Sequence, residues 1–323
     1  MDLRRVPRLV ARVPRALVQQ HREVHGLAEA MSRLESRLDA LHPAVSSFNQ
    51  RSWPLSCDVE LVRGEEGLFL VHSRDVGISQ VIRTTGVWSP HDVKLFRSLI
   101  RPGDHVIDVG ANLGHHTVAF SAMAGPAGRV LAIEPQTVMF RLIGANLLLN
   151  GCGNVTVERC AVGEDAGVVQ LYPADYSVPG NYGTIQVTRM DGKLRFDHPG
   201  EVTPVYRLDD LVAKLDWKRV DFLKVDAQTY DLYVLQGSET TLRSMRPVVF
   251  VEIAPYWMRM TGYDYREIYR LLLDMGYTVF EPHVSLTDPA SIREWSGDNA
   301  EEWDLLAVPE HRLQSLVSPG GAV

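Results

Sequence analysis

The chain has 323 residues, of which 45% are hydrophobic and 23% are charged. This composition is typical of a globular protein and excludes a disordered chain, a collagen and a membrane bundle. The 33 basic and 40 acidic residues give a net charge of −7, which argues against a general nucleic-acid binder because such proteins carry a basic surface.

The cysteines and the hydropathy pattern indicate a cellular setting. Cys57, Cys152 and Cys160 form no Cys-x-x-Cys pair, so we expect neither a disulfide framework nor a structural zinc site. No apolar run approaches the roughly 18 residues that a membrane span needs. The N-terminus lacks the continuous apolar segment of a secretory signal. We therefore expect a soluble, cytoplasmic protein.

Residues 1–45 differ from the rest of the chain because their apolar residues recur three and four positions apart. This pattern predicts a helical arm that begins near Pro14 and ends before Pro43. The apolar seam along 14–41 fits a coiled coil that would form a homodimer, and it fits equally well a helix packed on its own domain. The arginine-rich start of the arm is also a weak signal for contact with an anionic membrane surface.

The next segment, 46–95, begins with a strand pair predicted across 59–73 and continues into a helix after Pro90. Short apolar runs then alternate with helical stretches, which predicts a mostly parallel sheet in an α/β fold. The final two strands have only a polar loop between them and are expected to form an antiparallel edge pair. The seven predicted strands are 106–109, 130–133, 155–157, 222–225, 248–253, 277–280 and 305–308, and the helices between them are 114–124, 138–149, 232–245 and 265–275.

These patterns predict a main domain at 96–311 and a short tail at 312–323, with residues 46–95 covering a cleft in the main domain. The stretch 164–206 interrupts the alternation and is rich in Gly, Pro and Tyr, with weak strand signals at 168–172 and 184–187. Loops of this length in compact domains are usually functional. We interpret it as a lid over the carboxyl ends of the strands, although a decorative insertion gives the same pattern.

The clearest local motif runs from Asp108 through Gly110, Asn112 and Gly114. An apolar strand enters a glycine turn that opens a helix, which favours close approach of a ligand. The spacing is G-x-x-x-G, unlike the G-x-G-x-x-G of pyrophosphate-binding sites, and a carboxylate at Asp108 suits a positively charged cofactor. Glu134-Pro135 ends the next strand, where an acid can accept hydrogen bonds from ribose hydroxyls. Together these features indicate S-adenosylmethionine rather than a nicotinamide dinucleotide.

The chain resembles the FkbM-type methyltransferases in a set of motifs that occur in order along the sequence. The resemblance covers roughly 86–282 and rests on these segments: Asp108-Val-Gly-Ala-Asn-Leu-Gly, Ile133-Glu-Pro, Asn146 through Asn150-Gly, Ala161-Val-Gly, Asp221-Phe-Leu-Lys-Val-Asp226, Leu235-Gln-Gly237-Ser-Glu, and Val248–Ile253 with Glu252. It implies a class I Rossmann-like fold and O-methylation of sugars or natural products. It also implies cofactor contacts at Asp108, Gly110, Asn112, Gly114 and Glu134, and adenine-side contacts at Cys160 and Ala161.

The chain departs from this family after the fourth strand. The family pattern is Asp-Val-Glu-Gly-x-Glu, whereas this sequence has Asp226, then Gln228-Thr229 in place of Glu-Gly, and finally Asp231. A carboxylate that accepts a proton or holds a metal is absent, so we predict no required metal. The departure leaves open whether the chain is catalytic.

Methyl transfer to an alcohol needs a base that removes the hydroxyl proton. The candidates are Asp226, at the carboxyl end of its strand, and His115 or His116, at the start of the first helix of the domain. Asp226 is also a candidate cofactor-binding residue, because its alternative role is to orient the cofactor amine or the substrate. The alternative for a histidine is to face solvent or to bind the cofactor carboxylate. Residues proposed for the acceptor pocket are Tyr182, Gln228, Glu252, Tyr256 and Trp257. Trp88 is proposed to line the cofactor cleft or, equally, to pack in the core.

The sequence therefore predicts a methyltransferase that uses S-adenosylmethionine and acts on a hydroxyl of a glycan, another sugar or a secondary metabolite. One alternative is a cofactor-binding, non-catalytic scaffold that dimerises through the arm. A nicotinamide-dependent oxidoreductase is a further alternative, disfavoured by the missing third glycine.

Overall fold

The computed structural model describes residues 52–54, 58–172, 174–185, 187–188, 200–296 and 301–317. The predicted arm at 1–45, with its dimerisation seam at 14–41, lies outside these residues. From Ser52 onward the chain forms one unit. Within the part described, no helix combines the length and the apolar character needed to cross a bilayer.

Fourteen strands are described: β1 (Ser52–Pro54), β2 (Val59–Arg63), β3 (Leu68–His72), β4 (His105–Val109), β5 (Arg129–Ile133), β6 (Val155–Glu158), β7 (Ala161–Val162), β8 (Gly167–Leu171), β9 (Val187–Thr188), β10 (Val202–Tyr206), β11 (Phe222–Val225), β12 (Val248–Ile253), β13 (Tyr277–Phe280) and β14 (Trp303–Pro309). The α-helices in the same ranges are α1 (Ile78–Thr85), α2 (Pro90–Leu99), α3 (His115–Ala124), α4 (Thr137–Leu149), α5 (Leu208–Lys214), α6 (Asp231–Gln236), α7 (Pro255–Thr261), α8 (Arg266–Asp274) and α9 (Glu310–Val317).

The seven predicted strands form a central sheet in the order β13-β14-β12-β11-β4-β5-β6. Five strands are parallel, and β14 runs antiparallel to both β12 and β13 at one edge. This sheet confirms the predicted α/β fold class. The strand order reverses between β4 and β11, and ligands of open α/β sheets bind beside the strand carboxyl ends at such a point.

Both faces of the sheet are covered by apolar side chains, which is why its strands are continuous apolar runs. On one face Phe96 of α2 meets Phe120 of α3 and Phe250 of β12, with ring centroids 5.1 and 4.9 Å apart. On the other face, Leu235 and Tyr269 belong to a buried cluster contributed largely by α6, α8 and the same strands. These two layers hold the strand ends in fixed register.

The structure differs from the predicted helices in two respects: one helix is divided, and four further helices, among them α9 (Glu310–Val317), were not predicted. The helix predicted at 232–245 is divided into α6 and a π-helical turn at Thr241–Met245. The division falls at Gly237. A Cβ at this position would lie 2.0 Å from the carbonyl oxygen of Gly163, so only glycine fits there. The other three helices that were not predicted from the sequence are α1, α5 and α7.

The predicted lid at 164–206 contains a strand at its first weak signal, β8, and a 3-10 turn (Tyr182–Thr184) followed by β9 at its second. Strands β7, β10, β8 and β9 form a small separate sheet in that order. The described residues of the insertion therefore form their own sheet with β7, and the movement of the insertion as a lid stays a prediction.

The N-terminal sheet β1-β2-β3 is joined to the rest of the unit by two asparagines, Asn146 of α4 and Asn150 directly after it. Asn146 accepts a hydrogen bond from the Leu70 amide (2.6 Å) and donates to the Leu70 and Leu113 carbonyls (3.1 and 2.8 Å). Asn150 accepts from the Leu68 amide (2.9 Å) and donates to its carbonyl (2.7 Å). The side-chain amides therefore pair with the outer edge of β3 as a further strand would.

The turn after β11 contains two consecutive residues with positive φ, Gln228 (φ 47°) and Thr229 (φ 75°). A β-branched residue is strained in this region, because its Cβ is crowded by the following backbone. Thr229 is buried, and its hydroxyl oxygen has no hydrogen-bond partner. Thr229 occupies the position at which the family pattern has glycine. The substitution of threonine for this glycine therefore introduces backbone strain.

We predict that Asn146→Ala destabilises the protein by about 2–4 kcal/mol, because it leaves three backbone groups without their partner in a buried place. The free energy of unfolding, measured in urea, tests this. Leu148→Ala is the matched control on the same helix, since that side chain is 85% exposed. A loss for Asn146→Ala no greater than for this control would contradict the prediction.

We predict that Thr229→Gly stabilises the protein by about 1 kcal/mol, because relief of the strained φ exceeds the entropy that glycine adds to the unfolded chain. Thr156→Gly, at an exposed position of β6, is expected to destabilise by about 1 kcal/mol for the entropic reason alone. The two variants are compared by urea unfolding. Destabilisation by both would show that Thr229 is not strained.

Candidate active site

A cavity of about 190 Å³ opens where the sheet order reverses, at the carboxyl ends of β4, β5, β11 and β12. Residues 181 and 183–185 of the predicted lid also line it. The predicted site residues that line it are Trp88, Gly110, Asn112, Glu134, Pro135, Cys160, Ala161, Asp226, Gln228 and Glu252. The sheet therefore brings together residues that are up to 164 positions apart in the sequence.

The glycine turn after β4 is closely packed against β11. Gly110 has φ 76°, and a Cβ built on it would lie 1.7 Å from the carbonyl oxygen of Asp226. The amides of Gly110 and Ala111 both donate to the Ile133 carbonyl, at 3.0 and 3.1 Å. Only glycine allows this approach, which brings the turn and Asp226 to the same wall of the cavity.

Glu134 is positioned by two backbone amides. One carboxylate oxygen accepts from Asn112 at 2.8 Å and the other from Gln136 at 2.9 Å. The residue is only 2% exposed, and burial raises the pKa of its carboxyl to about 7 against the lowering effect of these two hydrogen bonds. The remaining acceptor positions of Glu134 are available to a ligand in the cavity.

The opposite end of the cavity is acidic. Asp226, Glu252 and Glu302 line it, and the amide nitrogen of Gln228 lies 3.0 Å from Asp226 Oδ1 and 3.4 Å from Glu252 Oε2. Burial, and then the nearby Asp226, raise the pKa of Glu252 well above its ordinary value. Gln228 thus separates two carboxyl groups, where the family pattern has a third acid.

Sequence reasoning did not single out Lys224, which lies beneath this acidic end. Its ammonium is 3.3 Å from Asp108 Oδ1 and 3.5 Å from Asp226 Oδ2, and the side chain is 4% exposed. Burial acts to lower the pKa of Lys224, but Asp226 and Asp108 raise it above its ordinary value. The available signal was a lysine in an otherwise apolar strand, Phe222-Leu-Lys-Val225.

Asp108 and Gly114 do not line the cavity. Asp108 is fully buried, and its second carboxylate oxygen accepts from the Thr117 hydroxyl at 2.7 Å. Its charge is therefore compensated inside the protein, by Lys224 and Thr117, and its contact with the cofactor stays a prediction. Gly114 instead makes room for Ile143, whose Cγ1 would lie 2.6 Å from an added Cβ.

The two candidate histidines are in the core. His115 Nε2 accepts from the Trp88 amide at 3.3 Å, and burial lowers its pKa to about 4. The ring of His116 packs edge-on against Phe96 with centroids 5.3 Å apart, and burial, followed by Lys224, lowers its pKa well below the ordinary value. Neither ring lines the cavity, and their role as the base stays a prediction.

Three aromatic residues predicted for the acceptor pocket also lie outside the cavity lining. The Tyr182 ring is buried, its hydroxyl donates to the Val178 carbonyl, and its amide donates to Asp75 at 3.3 Å. Tyr256 and Trp257 are 37% and 39% exposed on α7 and pack edge-on against each other, with ring centroids 5.0 Å apart. Tyr182 therefore positions the neighbouring lining residues, while the α7 pair forms an exposed surface.

The chain is similar to proteins of known class. Residues 108–279 match the family model described as the methyltransferase FkbM domain. The 31-O-demethyl-FK506 methyltransferase FkbM of Streptomyces tacrolimicus is 30% identical over 161 residues, which are 43% of this chain and 61% of that protein. The methyltransferase sdnD of Sordaria araneosa is 28% identical over 200 residues, covering 54% of this chain and 73% of the relative.

Among solved structures, the methyltransferase FkbM from Methylobacillus flagellatus KT is similar with 15% identity and a TM-score of 0.39, over 67% of this chain and 50% of the other. A likeness of this degree carries no argument about function. The family model, in contrast, covers more than half of the chain, from the glycine turn to β13. The observed seven-stranded, mostly parallel sheet agrees with the predicted class I fold, and the family model confirms the predicted methyltransferase family. The chain therefore belongs to the FkbM family of methyltransferases.

Proposed function

We propose that this chain is an S-adenosylmethionine-dependent O-methyltransferase whose acceptor is a hydroxyl of a sugar, a glycan or a secondary metabolite. The observation that carries the proposal is the charge of the cavity. Its lining contains four carboxyl groups and no basic side chain among the described residues. Such a cavity attracts a sulfonium cofactor and repels a pyrophosphate, which disfavours the nicotinamide alternative.

The residues that would hold the cofactor fit its chemistry. Glu134, with free acceptor positions, is suited to the ribose hydroxyls, and the apolar side chains of Cys160 and Ala161 are suited to the adenine face. Gly110 allows the Asp226 backbone to approach the turn closely, so that both residues line the cavity. The cofactor supplies an electrophilic methyl group to the acceptor oxygen.

Asp226 is the best-placed base of the predicted candidates, because it lines the cavity and the histidines do not. Its side chain is 32% exposed, and Gln228 and Lys224 contact one carboxylate oxygen each. This arrangement fixes the orientation of the carboxylate while leaving it accessible to an acceptor hydroxyl. Asp226 would remove the hydroxyl proton as the oxygen attacks, and Glu252 would orient the acceptor.

The proposed acceptor rests on two further points. The first relative is named for methylating 31-O-demethyl-FK506, a hydroxyl-bearing natural product, although this chain spans only 61% of that relative. The cavity also offers the polar groups of Gln228, Glu252 and Asn181, which suit an acceptor rich in hydroxyls. The exposed aromatic pair on α7 is proposed to extend the acceptor surface.

We predict that Asp226→Asn lowers kcat by about 10²–10⁴-fold and weakens S-adenosylmethionine binding much less, because proton removal is lost while three of the four carboxyl groups of the cavity remain. Transfer of a radiolabelled methyl group to a library of hydroxylated sugars and polyketides measures turnover, and calorimetry measures cofactor binding. Asp210→Asn, at an exposed position of α5, is the matched control.

Three results would contradict this assignment. Full turnover by Asp226→Asn would exclude Asp226 as the base, and failure of the wild type to bind S-adenosylmethionine would remove the whole proposal. Cofactor binding without turnover on any acceptor would favour the scaffold alternative.

We predict that the affinity for 5′-methylthioadenosine rises about tenfold between pH 6 and pH 8, since the Glu134 pKa of about 7 makes its carboxyl mostly protonated below that pH. The ionised carboxylate accepts hydrogen bonds from the ribose hydroxyls. The affinity therefore increases as the pH rises through the pKa of Glu134 and becomes constant at higher pH. This ligand lacks the amino acid portion of the cofactor, which would titrate in the same range. Calorimetry of wild type and Glu134→Gln tests the prediction, and an equal pH dependence in both would contradict it.

A further inference from the structure

Three side chains able to bind a metal come together away from the cavity, from three separate segments. They are Asp92 of α2, His283 after β13 and Asp304 of β14, and one ligand atom from each lies within 4.8 Å of the other two. His283 Nε2 is 2.8 Å from Asp92 Oδ1 and 3.2 Å from Asp304 Oδ2. None of the three lines the cavity.

One atom of this cluster lacks a hydrogen bond. Asp92 is 9% exposed, and its Oδ1 atom is buried without a hydrogen-bond partner, although His283 Nε2 lies close to it. The other carboxylate oxygen accepts from the Ser89 hydroxyl, so Oδ1 is the one that points to His283. An imidazole nitrogen carries at most one proton, and His283 Nε2 is within hydrogen-bond geometry of Asp304.

One proton on His283 Nε2 cannot satisfy both carboxylates. A buried carboxylate oxygen that is left without a hydrogen bond is costly, and such atoms in native proteins often mark an ion that binds there. Two carboxylates around one imidazole nitrogen would both be satisfied by a cation placed among the three atoms. Neutral imidazole nitrogen and carboxylate oxygen are the ligands of transition-metal dications, whereas Mg²⁺ prefers oxygen ligands with several waters.

We propose that Asp92, His283 and Asp304 form a binding site for a divalent transition metal, with Zn²⁺ as the best match. Zinc bonds to such ligands are about 2.0–2.2 Å long, so tetrahedral ligands lie roughly 3.4 Å apart. The 3.2 Å separation between His283 and Asp304 is close to this value, whereas the 2.8 Å separation between His283 and Asp92 is shorter, so these two side chains would move apart to admit the metal. Three protein ligands leave the fourth position of the zinc for water.

The site joins parts of the chain that are distant in sequence. It links α2, which packs on one face of the sheet, to β14 and to the segment that follows β13. Asp304 is also the register partner of Glu252, which lines the cavity. A bound metal would therefore fix β14 beside the acidic end of the cavity, and its first effect would be on stability.

The experiment uses the full chain without an affinity tag, treated with EDTA and dialysed. Titration with ZnCl₂ by calorimetry is expected to show a saturable site in the wild type and a higher Tm in the zinc-bound protein. His283→Gln should weaken this binding by at least about tenfold, because it removes a ligand. Asp304→Asn gives a second, independent ligand variant should His283→Gln fail to fold.

His91→Gln is the matched control, because this exposed histidine has its ring centroid 6.5 Å from that of His283 and is not among the three ligands. It should bind zinc as the wild type does. The proposal is overturned if the wild type shows no saturable site, or if the ligand variants bind zinc as tightly as the wild type. Tighter binding of Mg²⁺ than of Zn²⁺ would likewise overturn the assignment.

Discussion

The buried ion pairs of Lys224 are the constraint on which the site depends. Lys224 lies directly opposite Asp108 in the parallel pairing of β11 with β4, so one ammonium group contacts carboxylates on two elements. A buried carboxylate without such compensation is strongly destabilising. The position of Asp226 at the cavity wall follows from this pairing, together with the close approach of Gly110 to its carbonyl oxygen. The acidic charge of the cavity comes from the carboxyl groups that line it, because the charge of Asp108 is already compensated by Lys224 inside the protein.

The sequence predicted the fold well because local patterns specify it. Each strand of the central sheet is an apolar run, and the turn from β4 into α3 is marked by its glycines. Helix α5 carried a signal too, since Leu208, Leu211 and Val212 have helical spacing, but the long insertion before it hid its start. The division of the helix after β11 could not be predicted, because it depends on contact between Gly237 and Gly163.

The side-chain contacts at the site that the sequence did not predict also depend on residues that are distant along the chain. His115 and His116 were placed correctly at the start of α3, but the sequence does not show that Phe96 from α2 and the Trp88 backbone cover them. The contact between Asp108 and Lys224 was not predicted, because the two residues are 116 positions apart and meet only through strand register. Glu134, in contrast, was predicted correctly to lie at the cavity, since its position depends only on the strand that it follows.

The contacts of Asn146 and Asn150 have a consequence for the behaviour of the protein in concentrated solution. A strand at the border of a sheet exposes unpaired amides and carbonyls that recruit strands of other molecules and so start aggregation. Asn146 and Asn150 occupy those groups on Leu68 and Leu70, which closes that border of the N-terminal sheet to intermolecular β-pairing. The side-chain amides of Asn146 and Asn150 thus protect the edge of the sheet against intermolecular pairing and also attach the sheet to the rest of the unit.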